Sequence, residues 1–140
     1  GVICGVTSVM HIAACFSKPV VVIAGGREED AWEGYIDHYR NFGSDCPPLK
    51  VSQRYLHTLG TLECCQHKGC WRKKTVPLDQ ADFSPKRAKD LCKLPVRRPG
   101  KMALPQCLDM LTVDRVIEAV LSYFVDGTLA WPRMALSRAP

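Results

Sequence analysis

The chain has 140 residues, 46% hydrophobic and 24% charged, with a formal net charge of +5. This is an ordinary composition for a soluble globular domain, long enough to bury a core. No apolar run approaches the roughly 20 residues of a membrane-spanning helix and none has the layout of a signal peptide, so a cytoplasmic domain is expected.

The chain opens on an apolar strand with no initiator Met, which reads as the second half of a larger enzyme. Val2-Ile-Cys4 is a buried strand end, Gly5 gives a tight turn, and Thr7 or Ser8 caps the helix that follows. Met10, Ala13, Ala14 and Phe16 give that helix its apolar face; Lys18 suits its end and Pro19 stops it. Val20 to Ala24 is apolar throughout and rich in β-branched residues, as in a parallel strand covered on both faces. Gly25-Gly26 turns the chain. Asp30 to Tyr39 is a candidate short helix, Asp45 to Pro48 a loop, and Arg54 to Thr58 a third strand. Near the end Val113, Val116, Ile117, Val120, Leu121 and Phe124 recur at helical spacing. Thr112 is the expected N-cap there, and Gly127 the left-handed stop. The last residues, from Trp131, read as a loose tail.

Strand, helix and strand in short alternation predict an α/β fold, a Rossmann-like parallel sheet with flanking helices. The expected organisation is a strand-helix-strand nucleotide-binding unit over 1–62 and a cysteine-rich basic finger over 63–107. A C-terminal packing helix of the same domain over 108–127 and a tail over 128–140 complete it. In such sheets ligands bind beyond the carboxyl ends of the strands. Those ends are Gly5 to Ser8 and Gly25 to Glu28, where Gly lets backbone approach a ligand and a helix N-terminus favours an anion. Arg27 adds positive charge, so a phosphate-bearing ligand between the two loops is the expectation. The alternative is that these glycines are turn residues only.

Of eight cysteines, Cys64, Cys65, Cys70, Cys92 and Cys107 fall in one stretch. Clustering beside an α/β unit suits metal ligation better than a secreted disulfide scaffold. Four thiolates suit tetrahedral zinc or a mononuclear iron, with Cys65, Cys70, Cys92 and Cys107 as ligands and Cys64 the alternate. Reduced, unligated thiols packed in a loop are the competing reading. From Trp71 to Lys101 there are ten Lys or Arg against three Asp, leaving the rest of the chain at −2. Aromatic residues are scarce in that segment, so nucleic-acid stacking is disfavoured, and a solvated basic loop, with an interface to another subunit or an acceptor as a further option, fits better.

The run Gly5-Val-Thr-Ser-Val-Met-His-Ile-Ala-Ala-Cys-Phe-Ser-Lys-Pro-Val-Val-Val-Ile-Ala-Gly25 resembles the sugar-nucleotide-binding segment of heptosyltransferase-like glycosyltransferases, glycosyltransferase family 9. That family shows Thr-Gly-x-x-His-Leu-Ala-Ala-Ala, a small residue, Lys-Pro and a strand leading to a Gly loop. Cys107-Leu-Asp-Met-Leu-Thr-Val-Asp-Arg-Val116 resembles its final segment, and Cys65-x4-Cys70 its cysteine-bearing loop. Two positions depart from the pattern: Val6 stands where Asp is common, and Ser8 replaces Gly.

The resemblance implies the C-terminal half of a two-domain GT-B enzyme that transfers heptose or a related sugar, with inversion, from a nucleoside-diphosphate donor. Thr7, Ser8 and the amides of Val9 and Met10 would cradle the diphosphate, and His11 and Arg27 would meet its charge, with Gly25 and Gly26 beside it. The acceptor, a glycan or protein, and the base would belong to an N-terminal domain, so this chain alone is expected to be inactive. Homo-oligomers are one further option, and a cysteine-bound iron is known among similar enzymes. The alternative from another class is a metal-finger binding module whose basic loop contacts nucleic acid or an acidic protein.

Overall fold

The computed structural model describes residues 1–27 and 52–130. Strand β1 (Val2–Gly5), helix α1 (Ser8–Cys15), β2 (Val20–Gly25) and β3 (Gln53–His57) form a three-stranded parallel sheet in the order β1-β2-β3. Val20 stands opposite Val2 on one side and Gln53 on the other, which makes β2 the central strand. Its Val20, Val21 and Val22 are buried, as expected for a strand covered on both faces. Burying each such side chain contributes about 1.5–3 kcal/mol.

The α1 face of the sheet holds the main core. Met10, Ala13, Val20 and Val22 cluster there, with Val2, Cys4, Val6 and Tyr55 packed on them. Thr7 is at the N-cap position of α1, but its side chain makes no capping bond. The helix ends in a left-handed Ser17, φ 50°, with Lys18 N–H donating to Ala13 O and Ser17 N–H to Ala14 O. This is the double closure that usually uses Gly. The turn carries Phe16 away from the core, where it is 70% exposed, so it is not part of the buried face that the spacing suggested.

After β3 the chain builds the cysteine-rich region from short pieces: a 3-10 turn (Glu63–Cys65), another (Gln80–Phe83) and α2 (Pro85–Ala88). An antiparallel pair, β4 (Pro95–Val96) with β5 (Leu104–Pro105), leads into α3 (Gln106–Asp109). A fully buried Asp82 organises the middle of this region. It accepts from Lys74 Nζ at 2.5 Å and from Leu78 N–H at 2.9 Å. A buried carboxylate needs such partners.

Helix α4 (Val113–Val125) closes the fold, capped by Thr112, whose hydroxyl accepts from Arg115 N–H, with left-handed Gly127 beyond its end. Its rotation differs from the expected one. Tyr123 is the buried residue, while Val113, Ile117 and Leu121 are exposed. The cause is polar: Tyr123 Oη reaches Val20 O at 2.7 Å and Ser52 O at 3.1 Å, and Arg54 stacks on its ring, 4.5 Å from the centroid. Arg54 also pairs with Asp126. Tyr55 packs toward α1 and its neighbour Arg54 toward α4, so the two helices cover opposite faces of the sheet. The fold is therefore α/β. Among the described residues no helix is long and apolar enough to cross a membrane. The candidate helix Asp30–Tyr39, the loop at Cys46 and the tail from Trp131 lie outside the described residues.

A cationic cavity at the carboxyl end of the sheet

The cysteine-rich region lies against the carboxyl end of β2. Cys70 N–H donates to Gly26 O at 2.7 Å, Thr58 N–H to Gly25 O at 2.8 Å, and Thr58 Oγ1 to Cys107 O at 3.1 Å. Gln106 N–H donates to Leu94 O, which joins α3 to the residues before β4. Between this region and the ends of β1 and β2 is a cavity of about 460 Å³.

Two of the expected phosphate-site residues line it, Thr7 after β1 and Arg27 after β2. Ser8, Val9, Met10 and His11 do not. Met10 is sealed in the core, where its sulfur accepts from Tyr55 Oη at 3.2 Å. His11 is half-buried along α1.

Gly25 and Gly26 are pressed by the protein's own side chains, which leave little room for a Cβ. Gly25 has φ +62°, and a Cβ placed on it would stand 2.7 Å from Leu108 Cδ2. A Cβ on Gly26 would stand 3.2 Å from both Cys107 Cβ and Cys65 Sγ. The protein's own α3 and Cys65 make a close approach to this loop.

The cysteines separate into two groups. Cys64, Cys70, Cys92 and Cys107 line the cavity. Cys65, the expected ligand, is buried beneath Gly26, its thiol directed at the carbonyls of Leu62 (3.4 Å) and Thr58 (3.6 Å). The 3-10 turn at Glu63–Cys65 sends the two adjacent side chains different ways, so Cys64 takes the place assigned to Cys65. Burial pushes the Cys64 thiol above its ordinary value, and the nearby Cys70, Cys65, Cys107 and Cys92 push the same way. Cys107 is also raised, chiefly by burial, against an opposing hydrogen bond from the Gly26 amide. These two groups are therefore protonated near neutral pH and suit neither nucleophilic attack nor easy oxidation. No disulfide joins the described cysteines. The donor set suits a thiophilic ion, yet among the described residues no group of three Cys, His, Asp or Glu is gathered closely enough to hold one in this conformation.

The sequence located the positive charge but not its direction. Arg72, Lys73 and Lys74 turn to the cavity, joining Arg27. Among the described residues lining it there is no Asp, Glu or His. Four cations along a wall whose described lining carries no carboxylate make the cavity attractive to an anion, even though Lys74 also pairs with Asp82 behind it. The same absence leaves the described lining with no acid–base pair. What the arrangement offers is binding of an anion, with thiols in one wall. No known protein family, no curated protein and no solved structure matches the chain.

Proposed function

We propose that this chain is the nucleotide-sugar-binding C-terminal part of an inverting GT-B glycosyltransferase, using heptose or a related sugar carried on a nucleoside diphosphate. The observation that carries this reading is the cavity beyond the carboxyl ends of β1 and β2, which holds Thr7, Arg27 and the finger's cations and, among the described residues, no carboxylate. Parallel α/β sheets place ligands at this end.

In the reaction, negative charge grows on the departing diphosphate as the sugar bond breaks. Cations and a hydroxyl fixed in place before that moment stabilise the transition state more than the ground state. Arg27 and Thr7 serve this role from the sheet, and the finger's cations from the other wall. The base that activates the acceptor is not among the described lining residues; in this reading it comes from an N-terminal domain that also binds the acceptor glycan or protein. The cytoplasm, where thiols stay reduced, is the compartment that suits it.

Within the same reading Cys64, Cys70, Cys92 and Cys107 would hold a structural zinc or iron. Such an ion supplies a cross-link between the short pieces of the finger and takes no part in sugar transfer.

Calorimetric titration of the full chain with ADP, ADP-heptose, GDP-mannose and UDP-glucose tests the proposal. One nucleotide should bind saturably and lose affinity in Arg27→Ala and Thr7→Ala, whereas His11→Ala, which lies outside the cavity, should bind as the parent does. A folded chain that takes up none of the four, yet binds oligonucleotides or acidic peptides, would favour the metal-finger module instead.

A further inference from the structure

The three basic residues that follow Cys70-Trp71 stand on one limb of the finger, and that limb is fixed to its neighbour by backbone bonds. Lys73 and Lys74 N–H both donate to Asp90 O, at 2.9 and 3.0 Å, and Cys92 N–H donates to Lys74 O at 2.7 Å. The limb therefore presents its side chains from a defined position.

Two of the three charges are committed to the fold. Arg72 Nη1 donates to Lys89 O at 2.7 Å and to Leu91 O at 2.6 Å, and Lys74 Nζ to the buried Asp82 at 2.5 Å. Lys73 differs. It lines the cavity, its side chain is exposed, and its ammonium has no hydrogen bond or ion pair among the described residues. A cation on a rigid limb, lining a cavity with no acid among its described residues and unpaired among them, is available to a ligand.

We propose that Lys73 is a ligand-binding residue, and that its ammonium takes a phosphoryl group of the molecule whose approach to the sheet is met by Thr7 and Arg27. This deepens the nucleotide-sugar reading and rests on it for the identity of the ligand, but not for the anion subsite itself. The finger is thereby a wall of the binding site and not an appended module. An ammonium acts on phosphate as a compact point charge, so Lys73→Arg should retain most of the affinity.

The test is calorimetric titration of the full chain with ADP and, separately, inorganic pyrophosphate. It uses the parent, Lys73→Gln, Lys73→Arg, Arg27→Gln and Lys93→Gln. Lys93 is an exposed finger lysine that does not line the cavity, so it reports general electrostatics alone. Loss of one charge-assisted contact is expected to weaken ADP binding about tenfold in Lys73→Gln, with no change in Lys93→Gln. Equal effects of the two glutamines, or none at Lys73, would overturn the assignment. Binding that Arg27→Gln abolishes and Lys73→Gln leaves intact sinks it while sparing the nucleotide reading. Pyrophosphate held in a Lys73-dependent way, with no added affinity for ADP, supports the subsite and sinks the nucleotide reading. Uptake of neither compound by the parent overturns both.

Discussion

Leu108 occupies the space directly over Gly25: its Cδ2 lies 2.7 Å from where a Cβ would stand on that glycine. The loop after the central strand is thus pressed against α3, and the finger's last turn depends on a missing side chain.

Gly25→Ala should therefore destabilise the protein by about 2–4 kcal/mol, from left-handed strain and overpacking together. Urea denaturation measures it. Combining the change with Leu108→Ala should cost less than the sum of the two single changes, because the clash is shared. Strict additivity would mean that the two side chains do not meet.

The helix end at Ser17 gives the opposite sign. A non-glycine residue at φ 50° is strained, and the pattern of closing bonds is one that Gly completes without strain. Ser17→Gly should raise stability by about 0.5–1 kcal/mol, the relief being partly offset by the more flexible unfolded chain. A lower urea midpoint would contradict it.

Tyr123→Phe removes the hydroxyl that joins α4 to the start of β2 while keeping the ring beneath Arg54. A loss of about 1–2 kcal/mol is expected, seen as a lower midpoint with unchanged slope.

How these elements read from sequence depends on what fixes them. The apolar run of β2 and the 3.6-residue period of α4 are burial signals, and both elements are where those signals put them. The rotation of α4 is another matter: a phenol bonded to Val20 O decides it, and hydropathy ranks Tyr123 below the exposed Ile117 and Leu121. The third strand falls one residue early, since Thr58 leaves the ladder to bond Gly25 and Cys107. At the site, spacing could not tell Cys64 from Cys65, because adjacent residues in a 3-10 turn diverge. Glycine pairs announce a close approach without saying by what. The finger's basic residues follow no period, so only the fold shows that Lys73 and Lys74 turn inward.

Asp82 supplies a pH signature. Its carboxyl is held below the ordinary carboxylate range, first by the Lys74 ammonium and then by Leu78 N–H. A lowered folded value means that the contribution is complete above the unfolded carboxyl's value and disappears as pH falls through the folded one. The finger should therefore loosen under acid before the sheet does. Amide exchange of residues 72–92 against those of β2, followed from pH 6 downward, reports the difference. Asp82→Asn should loosen the finger at neutral pH and abolish its acid dependence, and should lower the urea midpoint more than Arg98→Gln, which breaks an exposed pair.

The thiols make the converse pH prediction. Burial raises Cys64 and Cys107, so an ion that binds their thiolates must displace protons, and its affinity should climb with pH through and above neutrality. Cobalt(II), followed by its thiolate charge-transfer absorption, is the probe. Cys64→Ser should weaken that signal at least tenfold, whereas Cys65→Ser should keep it and lose stability instead. The reverse pattern would restore Cys65 as a ligand.

The joint between finger and sheet also sets an order of assembly. Thr58 Oγ1 meets Cys107 across 49 residues and Tyr123 meets Val20 across 103, while β1, α1 and β2 contact one another within a short stretch of chain. Closing the longer loops costs entropy before any contact repays it, so the strand-helix-strand unit condenses first and the cavity is its last product. Substitutions at the joint then leave refolding rates nearly untouched and speed unfolding. The lifetime of the closed cavity, more than its rate of formation, is what this contact governs.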